Sequence, residues 1–336
     1  MISVTLVTMA LSMTISIYYS AFSEVNRVKQ NSERVKSRYY AQSGLALAVL
    51  FLRRVSWKEL YNFNLFGVPI TKIKGDVQYT FTITEETGKL NLNALVNFFN
   101  DDVNLSSREM FDRLGENFGV PVDYWDAVID WIDDNSVRMP GGDESVDYAA
   151  MTPPRRAKNS RLHSVEELLF IEKFNPYILF EDGRTKEEKE MYSKDFLSDA
   201  EQFAIDEDVD YILANNLTVY VPENPPGDIW KININSAPYH VVLSLSAFMM
   251  PKTARKILAA RWENGGYFTK LDELATIKEL QEDTGGGVTL FTEIKEKIVI
   301  RERIYKIVVE AQVGSQRAHV LGIYDVVAKK LILYLE

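Results

Sequence analysis

The chain has 336 residues, of which 46% are hydrophobic and 26% charged, and its formal net charge at pH 7 is -10. Because compact domains usually hold about 100 to 150 residues, we expect at least two hydrophobic cores and two domains. The acidic balance argues against nucleic acid as a partner, since phosphate backbones are bound by clustered Lys and Arg. The sequence has no cysteine, which excludes disulfides, thiolate metal sites and thiol nucleophiles.

The N-terminal stretch is the most informative part of the sequence. Residues 1–23 contain no charged side chain, whereas charges are frequent from Glu24 to Arg38. About 20 apolar residues span a bilayer as a helix, so we predict a retained membrane helix here. A signal segment with a mis-assigned start and a buried core helix are the alternatives.

The helical pattern continues beyond the apolar run. Apolar residues recur at alternating spacings of three and four without Gly or Pro before residue 44, which predicts one helix to about Arg53, roughly 80 Å long. The pattern is typical of a helix that leaves a membrane and packs one face against a domain. A membrane anchor followed by a coiled-coil stalk is the alternative. Because the helix is longer than its own domain, we predict that partner helices cover its apolar stripe, formed by Val25, Val28, Val35, Tyr39 and Val49.

Strand patterns occur at the two ends of the remaining sequence. Residues 76–84 alternate between apolar and polar side chains, which predicts a half-buried strand. Similar patterns return only at 305–313, 319–326 and 330–335, where intervening turn residues predict an antiparallel meander. The region between, about 94–300, is predicted to be a helical insertion.

The insertion contains two related segments. KLNLNAL (89–95) resembles KININSAP (231–238), and similar helical patterns follow each, so we predict two helical repeats over about 89–174 and 231–280. The second repeat resembles a helix-hairpin-helix unit, which often binds nucleic-acid backbone. Its hairpin, residues 248–251, has no glycine that would let a phosphate approach backbone amides, so we expect no nucleic acid partner.

The densest group of oxygen ligands lies between Asp130 and Asp147. It also includes Asp133, Asp134, Asn135, Asp143 and Glu144, around a turn made by Pro140, Gly141 and Gly142. Calcium takes six to eight oxygen ligands in flexible geometry, so this group of side chains suits calcium. Zinc and copper prefer Cys and His ligands, and the chain has no Cys and only three His. A solvated acidic loop without metal is the alternative.

Paired carboxylates also catalyse glycoside hydrolysis. No sugar-binding groove, nucleophile elbow, phosphate loop or zinc-protease motif accompanies these acids in the sequence. We therefore expect neither an enzyme nor a small-molecule substrate.

Several motifs in order resemble the K-type minor pseudopilin family (GspK) of bacterial type II secretion. The resemblance covers nearly the whole chain. It rests on YYAQSGLALA (39–48), ITEETGKLNLNAL (83–95), DAVIDWIDDN (126–135), the Pro-Gly acidic stretch at 140–148, TPPRRAKNSRLHSVEEL (152–168) and KININSAP (231–238).

This resemblance implies an α+β, type IV pilin-like fold, with a long N-terminal α-helix, an antiparallel sheet and a large α-helical insert. The two repeats in that insert are predicted to be SAM-like or helix-hairpin-helix-like. The domain prediction is a transmembrane part at 1–23, a pilin domain at 24–93, an inserted helical domain at 94–300 and the final pilin strands at 301–336.

The family also implies a function and a site. It implies a subunit at the tip of a pseudopilus, anchored once in the bacterial inner membrane, with its globular part in the periplasm. The implied partners are I-type and J-type minor pseudopilins and other pseudopilins. A membrane-tethered minor type IV pilus subunit with an adhesive role is the alternative.

Bound calcium is the cofactor that the resemblance implies. Asp133 and Asn135 match the two acidic positions of the family's Trp-Ile-Asp-x-Asp segment, and Glu144 and Asp147 match its Gly-x-Glu-Asp region with a longer spacing. Together with Asp143 they form the predicted ligand set. Type IV-like prepilins carry a basic leader ending in Gly, so we expect that the start codon lies upstream of Met1 or that the sequence is partial. Thr5 stands where most major pilins have Glu, and the K type also lacks that Glu.

Overall fold

The structure is a computed structural model that describes residues 2–62, 65–75, 77–182, 209–222, 229–301 and 303–335. It begins with one helix, α1 (Ile2–Leu52). By length and composition, Thr5–Leu52 is the one helix among the described residues that could cross a membrane. The continuous α1 confirms the predicted long N-terminal helix.

A five-stranded antiparallel sheet packs against the C-terminal part of α1. Its strand order is β1-β2-β11-β12-β13. The strands are β1 (Ile70–Lys74), β2 (Val77–Glu85), β11 (Ile304–Val313), β12 (Gln316–Asp325) and β13 (Lys330–Leu335). The predicted first strand and the C-terminal meander are therefore confirmed, and β2 pairs directly with β11 across the whole insertion.

One edge strand, β1, has no counterpart in the sequence prediction. It follows Gly67 and Pro69, is short, and its Ile73 is 75% exposed. Because β1 has no buried apolar face, its residues lack the alternation that predicts a half-buried strand.

Helix α1 packs on the sheet through a face of small and aliphatic residues. Ala41, Leu45, Ala48 and Leu52 are buried there, at the spacings of one helix face. Gly44 permits a close approach, because a Cβ at that position would lie 2.7 Å from Val309 Cγ1. A short helix, α2 (Trp57–Asn62), follows and contributes Leu60 to the same core.

The insertion between β2 and β11 forms a second core. Within its described residues, the helices are α3 (Leu105–Phe118), α4 (Val122–Ile132), α5 (Ser145–Ala150), α6 (Pro176–Phe180), α7 (Tyr239–Ser244), α8 (Pro251–Glu263) and α9 (Leu290–Lys295). Its 3-10 turns are Leu92–Ala94, Val165–Phe170, Leu213–Asn216, Leu271–Thr276 and Lys278–Gln281. This core is separate from the one under the sheet. It contains large aromatic residues with almost no exposed surface, namely Phe111, Trp125, Tyr148 and Phe268.

Short two-stranded pairings connect distant parts of the insertion. β3 (Leu90–Asn91) pairs in parallel with β6 (Leu217–Thr218), and β7 (Ile232–Asn233) pairs in parallel with β10 (Ile298–Val299). Two local antiparallel pairs complete the set, β4 (Val96–Asn97) with β5 (Asp102–Val103) and β8 (Asp283–Gly285) with β9 (Val288–Thr289).

An asparagine side chain fixes the backbone in the same way after β3 and after β7. Asn93 accepts a bond from Leu162 N (2.8 Å) and donates to Leu162 O (2.9 Å) and Val219 O (2.6 Å). Asn235 accepts from Phe268 N (2.7 Å) and donates to Phe268 O (2.9 Å) and Ile300 O (3.0 Å). The two predicted repeats share this arrangement, while the repeat as a whole stays a prediction.

Candidate metal centre

Helix α4 and the residue that follows it, Asp133, carry three carboxylates at helix-neighbour spacing. Asp126, Asp130 and Asp133 are four and three residues apart, and side chains at those spacings are neighbours on a helix. Asp126 is already paired, because Arg108 forms a salt bridge with it. Asp130 and Asp133 have no such pair with Lys or Arg among the described residues, although both are buried.

The loop after α4 folds back over these carboxylates. Met139 N donates to both oxygens of Asp130 (3.0 and 3.1 Å), and Gly141 N donates to Asp126 Oδ2 (3.0 Å). Gly142 is required by the close approach, because a Cβ there would collide with the Asp130 carboxylate. The carboxylates of Asp126 and Asp130 therefore hold the turn at Pro140, Gly141 and Gly142 in place. The sequence had predicted acidic residues around this turn.

The returning chain brings in Glu144. This residue caps α5 through a reciprocal arrangement in which Glu144 N donates to Asp147 Oδ2 (2.8 Å) and Ser145 N donates to Glu144 Oε2 (3.1 Å). The cap fixes the backbone and one carboxylate oxygen of Glu144. Its other oxygen, Oε1, is buried and has no hydrogen-bond partner among the described residues.

Asp130, Asp133 and Glu144 form the candidate metal centre. One oxygen from each lies within 4.8 Å of the others, and all three residues are buried. Asp133 Oδ1, like Glu144 Oε1, has no hydrogen-bond partner among the described residues. A buried carboxylate oxygen without a hydrogen-bond donor destabilises the folded protein. Binding of a cation or of a proton at these two oxygens would remove that destabilisation.

The electrostatics of the centre favour an added positive charge. Burial and, to a lesser extent, the charge of the Glu144 carboxylate raise the pKa of Asp130 from 3.8 to about 6 and that of Asp133 from 3.8 to about 7. The raised pKa values mean that the ionised carboxylates are unfavourable at this position without a counter-ion. A bound divalent cation would stabilise their ionised forms.

The residues of the sequence-predicted ligand set fall into three groups. Asp133 and Glu144 lie in the cluster. Asp143 and Asp147 instead form salt bridges with Arg138 (3.2 and 3.3 Å). Asn135 contacts the cluster only through its amide nitrogen, because its Nδ2 donates to Asp133 Oδ2 (2.8 Å) while its Oδ1 accepts a bond from Val137 N (2.6 Å).

Asp130 was part of the acidic stretch but not of the predicted ligand set. Its spacing of three residues from Asp133 on a predicted helix was the signal for including it. The donor set of three carboxylates suits a hard cation such as calcium, and carboxylates are its preferred protein ligands. The residues present therefore fit the ion that the family resemblance implies.

The predicted partner-helix stripe lies mostly outside the packed face of α1. Val25, Val28, Val35 and Tyr39 are between 60% and 66% exposed. Val49 is the exception, because it is partly buried against the sheet core. The sheet reaches α1 at Glu33, whose carboxylate accepts a bond from Ser315 N (3.3 Å), so Val25 and Val28 precede the part of the helix that the sheet contacts, whereas Val35 lies beside it with its side chain exposed.

Part of the chain matches a known protein family. Residues 88–180 match the family model described as type II secretion system (T2SS), protein K. No curated protein matches the chain in sequence.

The fold is shared with a solved structure. A chain of the crystal structure of the GspK-GspI-GspJ complex from enterotoxigenic Escherichia coli Type 2 Secretion System superposes with a TM-score of 0.61 at 15% identity. The match covers 92% of this chain and 98% of that chain. The match to the protein K family is thus confined to residues 88–180, whereas the fold is shared over nearly the whole chain.

Proposed function

We propose that this chain is a minor pseudopilin of the type II secretion pseudopilus and assembles there with I-type and J-type minor pseudopilins. The observation that carries the proposal is the exposed apolar stripe on α1. Val25, Val28 and Val35 point away from the only domain that α1 packs against among the described residues. An apolar stripe of this kind is covered in aqueous surroundings by another helix.

The comparisons support the same assembly. The structural neighbour comes from a complex of GspK with GspI and GspJ. The match of residues 88–180 to the protein K family favours a secretion pseudopilus over the alternative of an adhesive type IV pilus subunit. A tip position that helps to initiate the filament is part of the proposal, because a helix without Glu at position 5 suits a subunit with no neighbour above it.

The proposed location is the bacterial inner membrane, with a single pass and the globular part in the periplasm. The apolar N-terminal part of α1 fits a single-pass membrane anchor joined to a soluble domain. We expect the full-length chain to stay in the membrane fraction after high salt or carbonate and to dissolve in detergent. Release by salt alone would contradict membrane anchoring.

The assembly proposal is tested by co-purification of the full chain with I-type and J-type partners in a neutral detergent. Val28→Asp or Val35→Asp should reduce recovery of the partners about tenfold or more, because a charge replaces a buried apolar contact. Val288→Asp is the matched control, since Val288 is 42% exposed and lies in the short antiparallel pair of β8 and β9 in the insertion. Unchanged recovery with both helix variants would contradict the proposed assembly surface.

We also propose that Asp130, Asp133 and Glu144 bind calcium. The proposal is supported by the two buried oxygens without donors and by the raised pKa of both aspartates. A bound ion would neutralise the repulsion between the three carboxylates and join the end of α4 to the start of α5. Its role would be structural, in keeping with a family of structural subunits.

Calcium binding can be measured directly by titration calorimetry on the full chain in detergent. We expect Asp133→Asn and Glu144→Gln each to weaken calcium binding by about tenfold or more. Asp134→Asn should bind like wild type, because Asp134 is exposed and neighbours the cluster without belonging to it. Equal calcium affinity in all three variants would place the ion elsewhere.

A further inference from the structure

The exposed stripe on α1 has the residue spacing of a coiled-coil seam. Val25, Ser32 and Tyr39 follow one another at intervals of seven residues, and Val28 and Val35 lie three residues after the first two. All five side chains are exposed. Spacings of three and four residues that alternate in this way are typical of two helices packed side by side over a long distance. The stripe therefore fits a partner helix.

A row of lysines borders the stripe on one side. Lys29 and Lys36 directly follow Val28 and Val35 and are themselves seven residues apart. Both lysines are exposed, and the side chain of Lys29 is 73% exposed. In a coiled coil, residues at this position lie at the rim of the seam, where their charge helps to decide which partner helix is accepted. The lysine row is therefore part of the docking surface.

The acid nearest to both lysines in sequence, Glu33, is bound by the sheet. Its carboxylate accepts a bond from Ser315 N (3.3 Å), and its side chain is only 15% exposed. Lys29 Nζ lies 3.9 Å from this carboxylate, which is beyond hydrogen-bond distance. Lys36 forms no ion pair among the described residues. The charge of the lysine row thus remains exposed beside the stripe.

The other side of the stripe differs from the lysine row. It is formed by the residues that directly precede the first row of the seam, which are Glu24, Asn31 and Arg38. This side carries one acid, one amide and one base, whereas the lysine row has a single sign of charge. Glu24 is in addition paired with Arg27 (2.6 Å). The lysine row therefore makes the stronger demand on the charge of a partner.

We propose that the helix docked on this stripe carries acidic residues along the edge that faces Lys29 and Lys36. The inference rests on the proposed function, because it specifies the kind of partner helix that the assembly surface binds. Helices that leave the same membrane run parallel, and in a parallel pair the lysine row faces the residues that precede the seam of the partner. Carboxylates there would lie beside the lysines, whereas a basic edge would be repelled.

A second copy of this chain matches the lysine row less well. In a parallel pair of copies in register, Lys29 would face Glu24, whereas Lys36 would face Asn31. A copy therefore offers one carboxylate to two lysines. A partner helix with two acids seven residues apart would match both of them.

The test uses the full chain in neutral detergent and fluorescent helical peptides of three heptads, measured by anisotropy against empty micelles. The acidic peptide has apolar seam residues, Glu in the row that precedes the seam and Gln in the row that follows it. The basic peptide has Lys in place of Glu. We expect the acidic peptide to bind about tenfold or more tightly than the basic one, and the difference to shrink as salt rises.

A third peptide represents a second copy of this chain. It has Glu, Asn and Arg in the row that precedes the seam, in the order of Glu24, Asn31 and Arg38. We expect it to bind more weakly than the acidic peptide. Binding as tight as that of the acidic peptide would assign the stripe to a second copy and would overturn the inference.

Variants of the lysine row test its role directly. Lys29→Glu combined with Lys36→Glu should reverse the preference, so that the basic peptide binds about tenfold more tightly than the acidic one. Arg156→Glu combined with Lys252→Glu is the matched control, because it changes the net charge equally at exposed residues of the insertion. The control should keep the preference of wild type. All four residues are exposed, so the melting temperatures should stay unchanged.

Val28→Asp separates this inference from the proposed function. Loss of the I-type and J-type partners in Val28→Asp, with equal binding of the acidic and basic peptides to wild type, would leave the assembly surface in place and overturn the acidic edge. Unchanged recovery of the partners in Val28→Asp would contradict the assembly surface itself. No binding of the acidic peptide to wild type, or an unreversed preference in the lysine variant, would also overturn the inference.

Discussion

Asp133 and Glu144 face each other at the end of α4 with buried carboxylate oxygens within 4.8 Å, and each keeps one oxygen without a hydrogen-bond donor among the described residues. Asp130 completes the group from one turn earlier on the same helix. The arrangement is held from outside by backbone donors, since Met139 N binds Asp130 and Ser145 N binds Glu144. The centre is therefore preformed by the fold, while its charge remains uncompensated.

Calcium should stabilise the protein against thermal unfolding. A ligand present at 100 times its dissociation constant adds about 2.7 kcal/mol to the free energy of unfolding. We expect calcium to raise the melting temperature of the chelator-treated protein, and magnesium to do so less, because magnesium requires a tighter octahedral shell. Asp133→Asn and Glu144→Gln should lose this response and Asp134→Asn should keep it. A melting curve of wild type that calcium and chelator leave unchanged would contradict the site.

Without a cation, stability should fall as the pH rises through neutrality. The pKa of Asp130 and Asp133 in the folded protein is about 6 and about 7, above the ordinary value of 3.8. Folding therefore retains protons that the unfolded chain releases. The stabilisation of the folded state by these two protonated carboxyl groups is complete below about pH 4 and is lost as the pH rises through 6 and 7.

The measurement for this pH dependence is a series of melts in chelator from pH 5 to pH 8. Other carboxylates also respond to pH, so the comparison is with Asp133→Asn, which cannot ionise at that position. We expect the melting temperature of Asp133→Asn relative to wild type to increase as the pH rises. A constant difference between the two across this range would show that Asp133 has an ordinary pKa.

Gly142→Ala should disturb the centre although it changes no ligand. An added Cβ would collide with the Asp130 carboxylate, so the turn and α4 must move apart. We expect a loss of about 1 to 3 kcal/mol in the free energy of unfolding, as for overpacked buried positions. Calcium binding should weaken as well, as read by titration calorimetry. Ser136→Ala, an exposed change in the same loop, should behave like wild type.

Asn93→Ala and Asn235→Ala should destabilise the insertion to a similar degree. Each removes three hydrogen bonds to backbone groups, and a buried group left without its partner costs about 1 to 3 kcal/mol. Asn264→Ala is the control, because Asn264 is exposed. Urea unfolding of each variant measures the change. A negligible effect at either position would show that the arrangement seen there is not important for stability.

Part of the fold followed from local sequence patterns. The uncharged run at 1–23 and the spacing of three and four after it predicted α1, because helix periodicity is visible in a single segment. The alternation at 76–84 and after residue 304 predicted β2 and the C-terminal strands for the same reason. The strand β1 was missed, since Ile73 is exposed and an edge strand without a buried face shows no alternation.

Other features depended on the tertiary structure. The sequence by itself determined that carboxylates are concentrated between residues 130 and 147. It did not determine which of these carboxylates come close enough together to bind one metal ion. That depended on Arg138, which binds Asp143 and Asp147, and on the turn that brings Glu144 to Asp130. Likewise, periodicity determined that α1 has apolar stripes, whereas the close approach of Gly44 to Val309 decided which face the sheet covers. In both cases several residues or helix faces have the same chemical character, and contacts with residues far away in the chain decide which of them is used. A local sequence pattern contains no information about such contacts.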